Sequence, residues 1–457
     1  MLNEPSKVNW TSSFNVNEVN HVQKEINNAE NGALKVLRIN PSFLENHTIK
    51  EIPQLFDGEK VPEWFTNDIA YWWGNYMTNE EINETLPNWT RKMTHLELDL
   101  WTDCCMLCPH CFKSQIDAHK LKEWKQFSLQ EVKWKITQFK KMGLKTIKIT
   151  WAWEPFYNKD IIDFLEWAQK NDIGVSVFTK WYEIWDDCMV ERLFGQKYGI
   201  HNCEQMAKKL KELDVSILLG VNTFDPELQK SFVGHGDSKF WERYIQARDN
   251  ALIQLINAGL NEFIPGKPTR LGISMAPMKP ETLNEIIDLY SRARMRNIYP
   301  LWCPSNDAWD WKKENIRVDS ITNNYENDLI NLYTKIYIRN IEHNVQTLEQ
   351  FLEEWPSLYP GVAVCQQART WWYMRLSDDH SKYEMISCPG HDPARKELKI
   401  AEDLMALETD AQVLDAWANS ANAKRWKYHC IARDWITLSP NFYAKITNQV
   451  KRYFNTQ

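Results

Sequence analysis

The segment LDLWTDCCMLCPHCF, which runs from Leu98 to Phe112, places four cysteines within eight positions. It begins in a stretch where leucines alternate with polar residues, a pattern that predicts a β-strand. Closely spaced cysteines after a strand are typical ligands of iron–sulfur clusters, because thiolates bind iron. Four thiolates can also hold zinc, but zinc sites normally carry paired C-x-x-C elements, and only Cys108 and Cys111 form such a pair here. The segment therefore predicts a metal centre at the end of a strand.

From His95 to Trp302 the chain alternates between strand-like and helix-like patterns, giving six predicted strands. The first helix is predicted to begin with a capping box at Ser128 and Glu131 and to end before Gly143. Strands that alternate with helices predict a parallel α/β sheet. Right-handed crossovers would curl this sheet into a partial (β/α)6 TIM-like barrel, with the functional groups at the C-terminal ends of the strands.

The pattern divides the chain into three predicted parts. Residues 1–93 are polar and rich in asparagine and carry an aromatic cluster, so we predict an N-terminal extension that packs on the main domain. Residues 94–305 form the predicted barrel. A shift in composition near residue 305 marks the start of a predicted C-terminal module, residues 306–457.

The overall composition narrows the class of protein. The 457 residues are 43% hydrophobic and carry a net charge of -7, whereas a nucleic-acid binder usually shows a basic balance or a basic stripe. No apolar run is long enough to span a membrane, and the first residues do not read as a secretory signal, so a cytoplasmic protein is expected. Ten cysteines in a chain of this length are too few for a small disulfide scaffold and favour metal binding or catalysis.

The C-x-x-x-C-x-x-C spacing of Cys104, Cys108 and Cys111, followed by Phe112, resembles the radical S-adenosylmethionine (SAM) family. The resemblance implies that the three thiolates hold a [4Fe–4S] cluster whose open iron binds the amino and carboxylate groups of SAM. It also implies that an electron from the cluster splits the sulfonium and gives a 5'-deoxyadenosyl radical, which removes a hydrogen atom from the substrate. Cys105 would then be an extra thiol that binds no iron.

Glu154 and Pro155 resemble the second half of the Gly-Gly-Glu-Pro motif that this family carries at the end of its second strand. Ala152 and Trp153 stand in place of the two glycines. The resemblance implies that the Glu154 carboxylate contacts the SAM amino group. The alternative is a solvated carboxylate at the end of a strand.

Four other residues are expected to contact the cofactor by the same resemblance. Phe112 follows the last cysteine, Ser176 lies on the third strand, Asn222 ends the fourth strand and Ser274 lies on the fifth. For Asn222 a turn-forming role is an equally good interpretation.

The C-terminal region resembles the SPASM or twitch extensions of radical SAM enzymes, which bind auxiliary iron–sulfur clusters. The resemblance rests on a cysteine, a predicted hairpin of two strands, a helix with a tryptophan and further cysteines. The cysteines are Cys365, Cys388 and Cys430. They support at most one auxiliary cluster, with His391, His429, another cysteine or the substrate as the fourth ligand. Three separately buried thiols are the alternative.

The expected activity is modification of a C–H bond in a peptide, a protein or a small molecule, with flavodoxin or ferredoxin as the electron donor. Two other functions stay open, namely a non-catalytic iron–sulfur or zinc-binding protein and a nucleic-acid-modifying radical SAM enzyme. Cys188, Cys203 and Cys303 have no useful mutual spacing and are expected in the core.

Overall fold

The structure is a computed structural model of the chain. It describes residues 69–72, 93–99, 128–150, 154–180, 186–232, 238–264, 267–275, 282–294, 296–302, 304, 323–342, 346–353, 371–377, 381–386, 388, 399–420 and 442–455. Several predicted site residues lie outside these ranges, and they are Cys104, Cys108, Cys111, Phe112, Cys365 and Cys430.

Nine strands within the described ranges form one open sheet in the order β6-β5-β4-β3-β2-β1-β7-β8-β9. The strands are β1 (His95–Leu98), β2 (Thr146–Ile149), β3 (Gly174–Thr179), β4 (Ser216–Gly220), β5 (Leu271–Ser274), β6 (Tyr299–Leu301), β7 (Trp371–Leu376), β8 (Tyr383–Ile386) and β9 (Lys399–Ala401). Neighbouring strands from β6 to β7 pair in parallel, and β8 and β9 follow antiparallel. The predicted open, mostly parallel α/β sheet is confirmed.

Helices connect the parallel strands as the alternating pattern predicts. They are α1 (Leu129–Lys141), α2 (Ile161–Lys170), α3 (Cys203–Glu212), α4 (Pro226–Phe232), α5 (Ser238–Asn257), α6 (Leu283–Arg294), α7 (Asn323–Glu342), α8 (Leu348–Glu353), α9 (Asp410–Asn419) and α10 (Phe442–Asn455). A further helical stretch at residues 187–198 contains a π-helical turn, Glu191–Gly195. None of the helices in the described ranges has the length and hydropathy that crossing a membrane requires.

The start of α1 shows how β8 is attached to the barrel helices. The Ser128 hydroxyl accepts a hydrogen bond from the backbone N–H of Glu131, as a capping box requires. The Ser128 backbone N–H, however, donates to the Tyr383 hydroxyl at 3.0 Å, and that hydroxyl donates to Glu131 Oε2 at 3.0 Å. The predicted capping box is therefore only partly confirmed, because a side chain from β8 sits between its two members.

The two faces of the sheet differ in chemistry. Alternate residues such as Leu96, Leu98 and Ile147 are buried in the large hydrophobic cluster that includes the helices. The residues between them face the other way, and on this inner face β1 and β2 carry Glu97 and Lys148. Parallel sheets covered on both sides normally read as continuous apolar runs. The inner face is therefore mixed, with charged side chains on β1 and β2 and a second hydrophobic cluster that includes Leu218, Tyr299 and Leu301.

The charges on the inner face are buried and paired. Lys148 Nζ lies 3.2 Å from Glu97 Oε2, and the Thr150 hydroxyl donates to Glu97 Oε1. Burial raises the pKa of Glu97, whereas burial and then the charge of Lys148 lower the pKa of His95. An unpaired buried charge is costly. These contacts therefore lower the free-energy cost of burying Glu97 and Lys148 in the folded state.

Residues 69–72 close the N-terminal edge of the sheet. The Ala70 N–H donates to the carbonyl of Thr269 at 2.8 Å, and the Tyr71 hydroxyl donates to Asp214. Trp72 lies under the inner face, with Lys148 Nζ 4.8 Å from its ring centroid. Since Thr269 and Asp214 precede β5 and β4, these residues cover the end of the sheet opposite the expected active site.

The C-terminal strands continue the same sheet. The predicted hairpin is confirmed, because β7 and β8 pair antiparallel, and β7 also pairs in parallel with β1. On the outer face Trp372 stacks on Trp417 of α9, with ring centroids 6.4 Å apart and planes 13° apart. The division of the chain after residue 305 stays a prediction.

Candidate functional site

Glu154 joins the C-terminal ends of β2 and β3. Its Oε1 accepts from the Thr179 hydroxyl at 2.6 Å, and its Oε2 accepts from the Lys180 N–H at 2.9 Å. A longer contact of 3.4 Å from the Phe156 N–H caps the 3-10 turn Pro155–Tyr157. The Glu154 residue is only 3% exposed, so the carboxylate is held in one orientation. A fixed carboxylate at this edge can accept hydrogen bonds from a bound ammonium group.

Lys180 carries the polar network from β3 to β4. Its ammonium donates to Asn222 Oδ1, while its own backbone N–H is bound by Glu154. Gly220 makes room for this arrangement, because a Cβ there would lie 2.9 Å from the Lys180 side chain. A cation, a carboxylate and an amide are thus brought together at the C-terminal edge.

Asn222 is held in a backbone conformation that few residues adopt. Its φ is +62°, in the left-handed region that asparagine tolerates better than most residues. Its N–H and that of Val221 both donate to the Ser274 carbonyl at 2.9 Å, which ties the end of β4 to the end of β5. The turn-forming interpretation of Asn222 is therefore correct for its backbone, and its side chain is directed at Lys180.

Ser176 lies deeper than the other predicted cofactor residues. It is four residues before Lys180 on the same side of β3, which corresponds to about 13 Å along a strand at roughly 3.3 Å per residue. Its hydroxyl and that of Ser274 are buried and have no hydrogen-bond partner within the described residues. The structure therefore brings Glu154, Asn222 and Ser274 to one edge and leaves Ser176 inside the sheet.

Asp99 occupies the matching position at the end of β1. Its backbone N–H donates to the carbonyl of Met374 at 3.0 Å, and its carboxylate accepts from the Tyr373 hydroxyl. The chain continues from Asp99 to the predicted iron ligands, which begin five residues later at Cys104. The predicted cluster segment therefore departs from the same edge that carries Glu154.

The donor chemistry of that segment fits an iron–sulfur cluster. Three thiolates at Cys104, Cys108 and Cys111 suit a cubane that keeps one iron open. Elsewhere, within the ranges that the structure describes, no three His, Cys, Asp or Glu side chains are arranged to hold a metal ion.

Cys388 follows the end of β8, where its side chain is partly exposed. Because β8 runs antiparallel to β7, Cys388 lies toward the N-terminal edge of the parallel strands. Asp99 and Glu154 lie at the opposite edge.

Two further cysteines, both expected in the core, differ in their exposure to solvent. Cys203 is buried at the start of α3, as expected, and burial raises the pKa of its thiol. Cys188 is exposed, so the expectation that it lies in the core is wrong. It sits on the short helix Asp187–Val190, of which only Val190 is buried.

The parallel sheet and the polar residues at its C-terminal edge are typical of one class, the α/β enzymes whose active sites lie at the C-terminal ends of their strands. Residues 100–262 match the family model described as the radical SAM superfamily. The chain therefore contains a region similar to the radical SAM superfamily, and this region spans about a third of its length. Comparison with curated proteins found no match.

Solved structures provide a second comparison. SuiB from Streptococcus suis bound to S-adenosylmethionine is 14% identical, with 73% of this chain and 67% of that chain covered and a TM-score of 0.46. SuiB bound to precursor peptide SuiA is also 14% identical, with 48% and 40% covered and a TM-score of 0.32, so this chain spans less than half of that one. The tagged anSMEcpe with bound AdoMet is 10% identical, with 80% and 93% covered and a TM-score of 0.50. At these identities the likeness concerns the fold alone.

Sequence reasoning missed Lys180, Asp99 and Tyr373. Lys180 directly follows a predicted strand, which is a usable signal, but a lysine at a strand end is normally solvated. Asp99 and Tyr373 are 274 residues apart, and no local pattern connects them.

Proposed function

We propose that this enzyme cleaves S-adenosylmethionine reductively and uses the resulting radical to modify a C–H bond of its substrate. The observation that carries the proposal is the spacing of Cys104, Cys108 and Cys111, which follow β1, while Glu154 follows the neighbouring strand β2. When bound by these thiolates, a [4Fe–4S] cluster supplies the electron that splits SAM into methionine and a 5'-deoxyadenosyl radical.

The residues at the C-terminal edge bind and orient SAM in this proposal. Glu154 accepts hydrogen bonds from the SAM ammonium, and Asn222 and Ser274 line the part of the site near β4 and β5. Lys180 holds Asn222 in place and adds a positive charge that favours the SAM carboxylate. Phe112 packs beside the cofactor, and Ser176 contributes to the polar interior below it.

The substrate is a peptide, a protein or a small molecule, and the electron donor is flavodoxin or ferredoxin. The acidic net charge of -7 argues against a nucleic-acid substrate, because phosphate contacts need a basic surface. A cytoplasmic location is part of the same proposal.

An auxiliary iron–sulfur cluster at Cys365, Cys388 and Cys430 is also proposed. Cys388 lies toward the edge opposite Glu154, so this cluster would act in electron transfer instead of holding the substrate at the site of the chemistry. Its test is the Cys388→Ala variant, reconstituted with iron and sulfide under anaerobic conditions. We expect wild type to bind about eight irons and Cys388→Ala about four, since each cubane holds four.

The main proposal is tested by reconstituting the protein anaerobically and then adding a chemical reductant in the presence of SAM. We expect slow formation of 5'-deoxyadenosine without substrate in wild type. Cys104→Ala, Cys108→Ala and Cys111→Ala should each lose the catalytic cluster and this activity. Cys105→Ala is the matched control in the same segment and should keep both. Zinc in place of iron would favour the non-catalytic binding protein, and loss of the cluster in Cys105→Ala alone would show that the ligand register is wrong.

A further inference from the structure

Tyr373 and Asp99 form a buried contact between the neighbouring strand β7 and the end of β1. Tyr373 lies on the inner face of β7 and is 1% exposed, and Asp99 is 3% exposed. Burial and the charge of Asp99 raise the pKa of the Tyr373 hydroxyl, so it stays protonated and donates to the Asp99 carboxylate. Hydrogen bonds to charged groups are stronger than those between neutral groups, so this contact can fix a chain segment locally.

The strand that carries Tyr373 is itself rigidly held. The neighbouring residue Trp372 points to the outer face, where it packs edge-on against Phe139 of α1 at 6.5 Å and stacks on Trp417 of α9. Met374 follows Tyr373 on β7, and its carbonyl accepts a hydrogen bond from the backbone N–H of Asp99. Asp99 is thus held by β7 through both its backbone and its side chain.

We propose that Tyr373 is a positioning residue for the iron-binding segment, because it fixes Asp99 at the point where the chain leaves β1 for Cys104. The inference rests on the proposed function and extends it: the C-terminal region sets the geometry of the catalytic cluster even apart from any auxiliary cluster. Arg375 lies two residues further along β7. Its Nη2 and Nε atoms lie 2.5 Å and 2.6 Å from Glu384 Oε1, so its guanidinium is directed at β8.

The test compares two tyrosines of the same hairpin. Tyr373→Phe removes the hydroxyl that binds Asp99, and Tyr383→Phe removes the hydroxyl that binds Glu131 on α1. Both variants lose one tyrosine–carboxylate hydrogen bond, but only the first touches the start of the iron-binding segment. Each reconstituted protein is measured for its thermal midpoint, the rate at which a chelator removes iron, and the EPR signal of the reduced cluster with and without SAM.

We expect both variants to have a lower thermal midpoint. Only Tyr373→Phe should lose iron to the chelator faster, by roughly ten- to a hundredfold, as the loss of such a hydrogen bond predicts. Only Tyr373→Phe should also change the EPR signal that SAM produces.

Asp99 provides a second pair if Tyr373→Phe does not fold. Asp99→Asn keeps an oxygen that accepts from Tyr373, whereas Asp99→Ala does not, so the alanine variant should lose iron about tenfold faster than the asparagine variant. Equal behaviour of the two tyrosine variants, or of the two Asp99 variants, would overturn the inference while leaving the proposed function intact. A wild type that takes up no iron would overturn both.

Discussion

The Glu154 carboxylate already binds two strong donors of the protein, so its replacement has two separable effects. We expect Glu154→Ala to keep the cluster, to weaken SAM binding by roughly ten- to a hundredfold and to lower the free energy of unfolding by about 1–3 kcal/mol. Calorimetric titration with SAM and denaturant unfolding measure the two quantities. Thr179→Val is the control, because it removes a donor to Glu154 and keeps the carboxylate. Normal SAM binding by Glu154→Ala would refute the assignment.

His95 makes the stability depend on pH. It is buried, its Nδ1 lies 2.6 Å from the Thr146 hydroxyl, and burial lowers its pKa. The unfolded chain takes up a proton near pH 6.5 and the folded chain does not, so stability is present above that pH and is lost as the pH falls below it. The contribution of His95 should decrease by about 1 kcal/mol between pH 6.5 and 5.5.

Urea unfolding across this pH range measures that contribution as the difference between wild type and His95→Asn. A comparison with a variant is needed because the raised pKa of Glu97 acts in the opposite direction, by stabilising the fold at lower pH. Parallel pH profiles for the two proteins would show that folding does not lower the pKa of His95.

At the residue scale, the sequence predicts local chemistry and misses distant contacts. The proposed iron ligands can be read from the sequence, because cluster-binding thiolates need close spacing and core packing does not. The position of Glu154 at the end of β2 follows from the strand pattern. Its bonds to Thr179 and Lys180 depend on the pairing of β2 with β3, which the spacing of residues does not encode.

At the element scale, the junction between α1 and β8 can be dissected into its two parts. Tyr383→Phe should lower the free energy of unfolding by about 1–2 kcal/mol, and Ser128→Ala by about 1 kcal/mol. The Tyr383 hydroxyl and the Ser128 side chain both contact Glu131, so the double variant should deviate from additivity by more than about 0.5 kcal/mol. Denaturant unfolding of the four proteins measures this, and additive effects would mean that the cap and the hydroxyl act independently.

The strands β1 to β6 follow the sequence prediction closely because each has a clear alternating or apolar pattern between helices. The three-residue strand β9 and the helical stretch at residues 187–198 are not predicted, since so few residues carry no readable period. The capping-box pattern at Ser128 correctly predicts a helix start, but Tyr383 comes from 252 residues away and has no local signal.

At the scale of the whole molecule, the pairing of β7 with β1 makes it unfavourable for the barrel to fold without the C-terminal region. A chain that ends at residue 305 lacks β7, and β1 then becomes an edge strand with exposed N–H and C=O groups. We expect this fragment to aggregate or to elute as oligomers in size-exclusion chromatography. A monomeric fragment that unfolds cooperatively would support the predicted division after residue 305.

Periodicity identifies Trp371–Leu376 as a strand but does not give its partner. The placement of β7 beside β1 instead of in a separate module is a property of the whole chain, and it required the structure. The contacts of Asp99 with Tyr373 and Met374 of β7 follow from this placement and have no local signal in the sequence.

The pairing of β1 with β7 has a consequence for synthesis on the ribosome. β7 begins 273 residues after β1 ends, so at about 5–20 residues per second it emerges roughly 15–55 s later. During this time β1 lacks its β7 neighbour and has one open edge, and four cysteines follow it closely in the chain. We therefore expect expression to be more sensitive to chaperone supply than to cysteine content, and iron loading to follow the completion of translation.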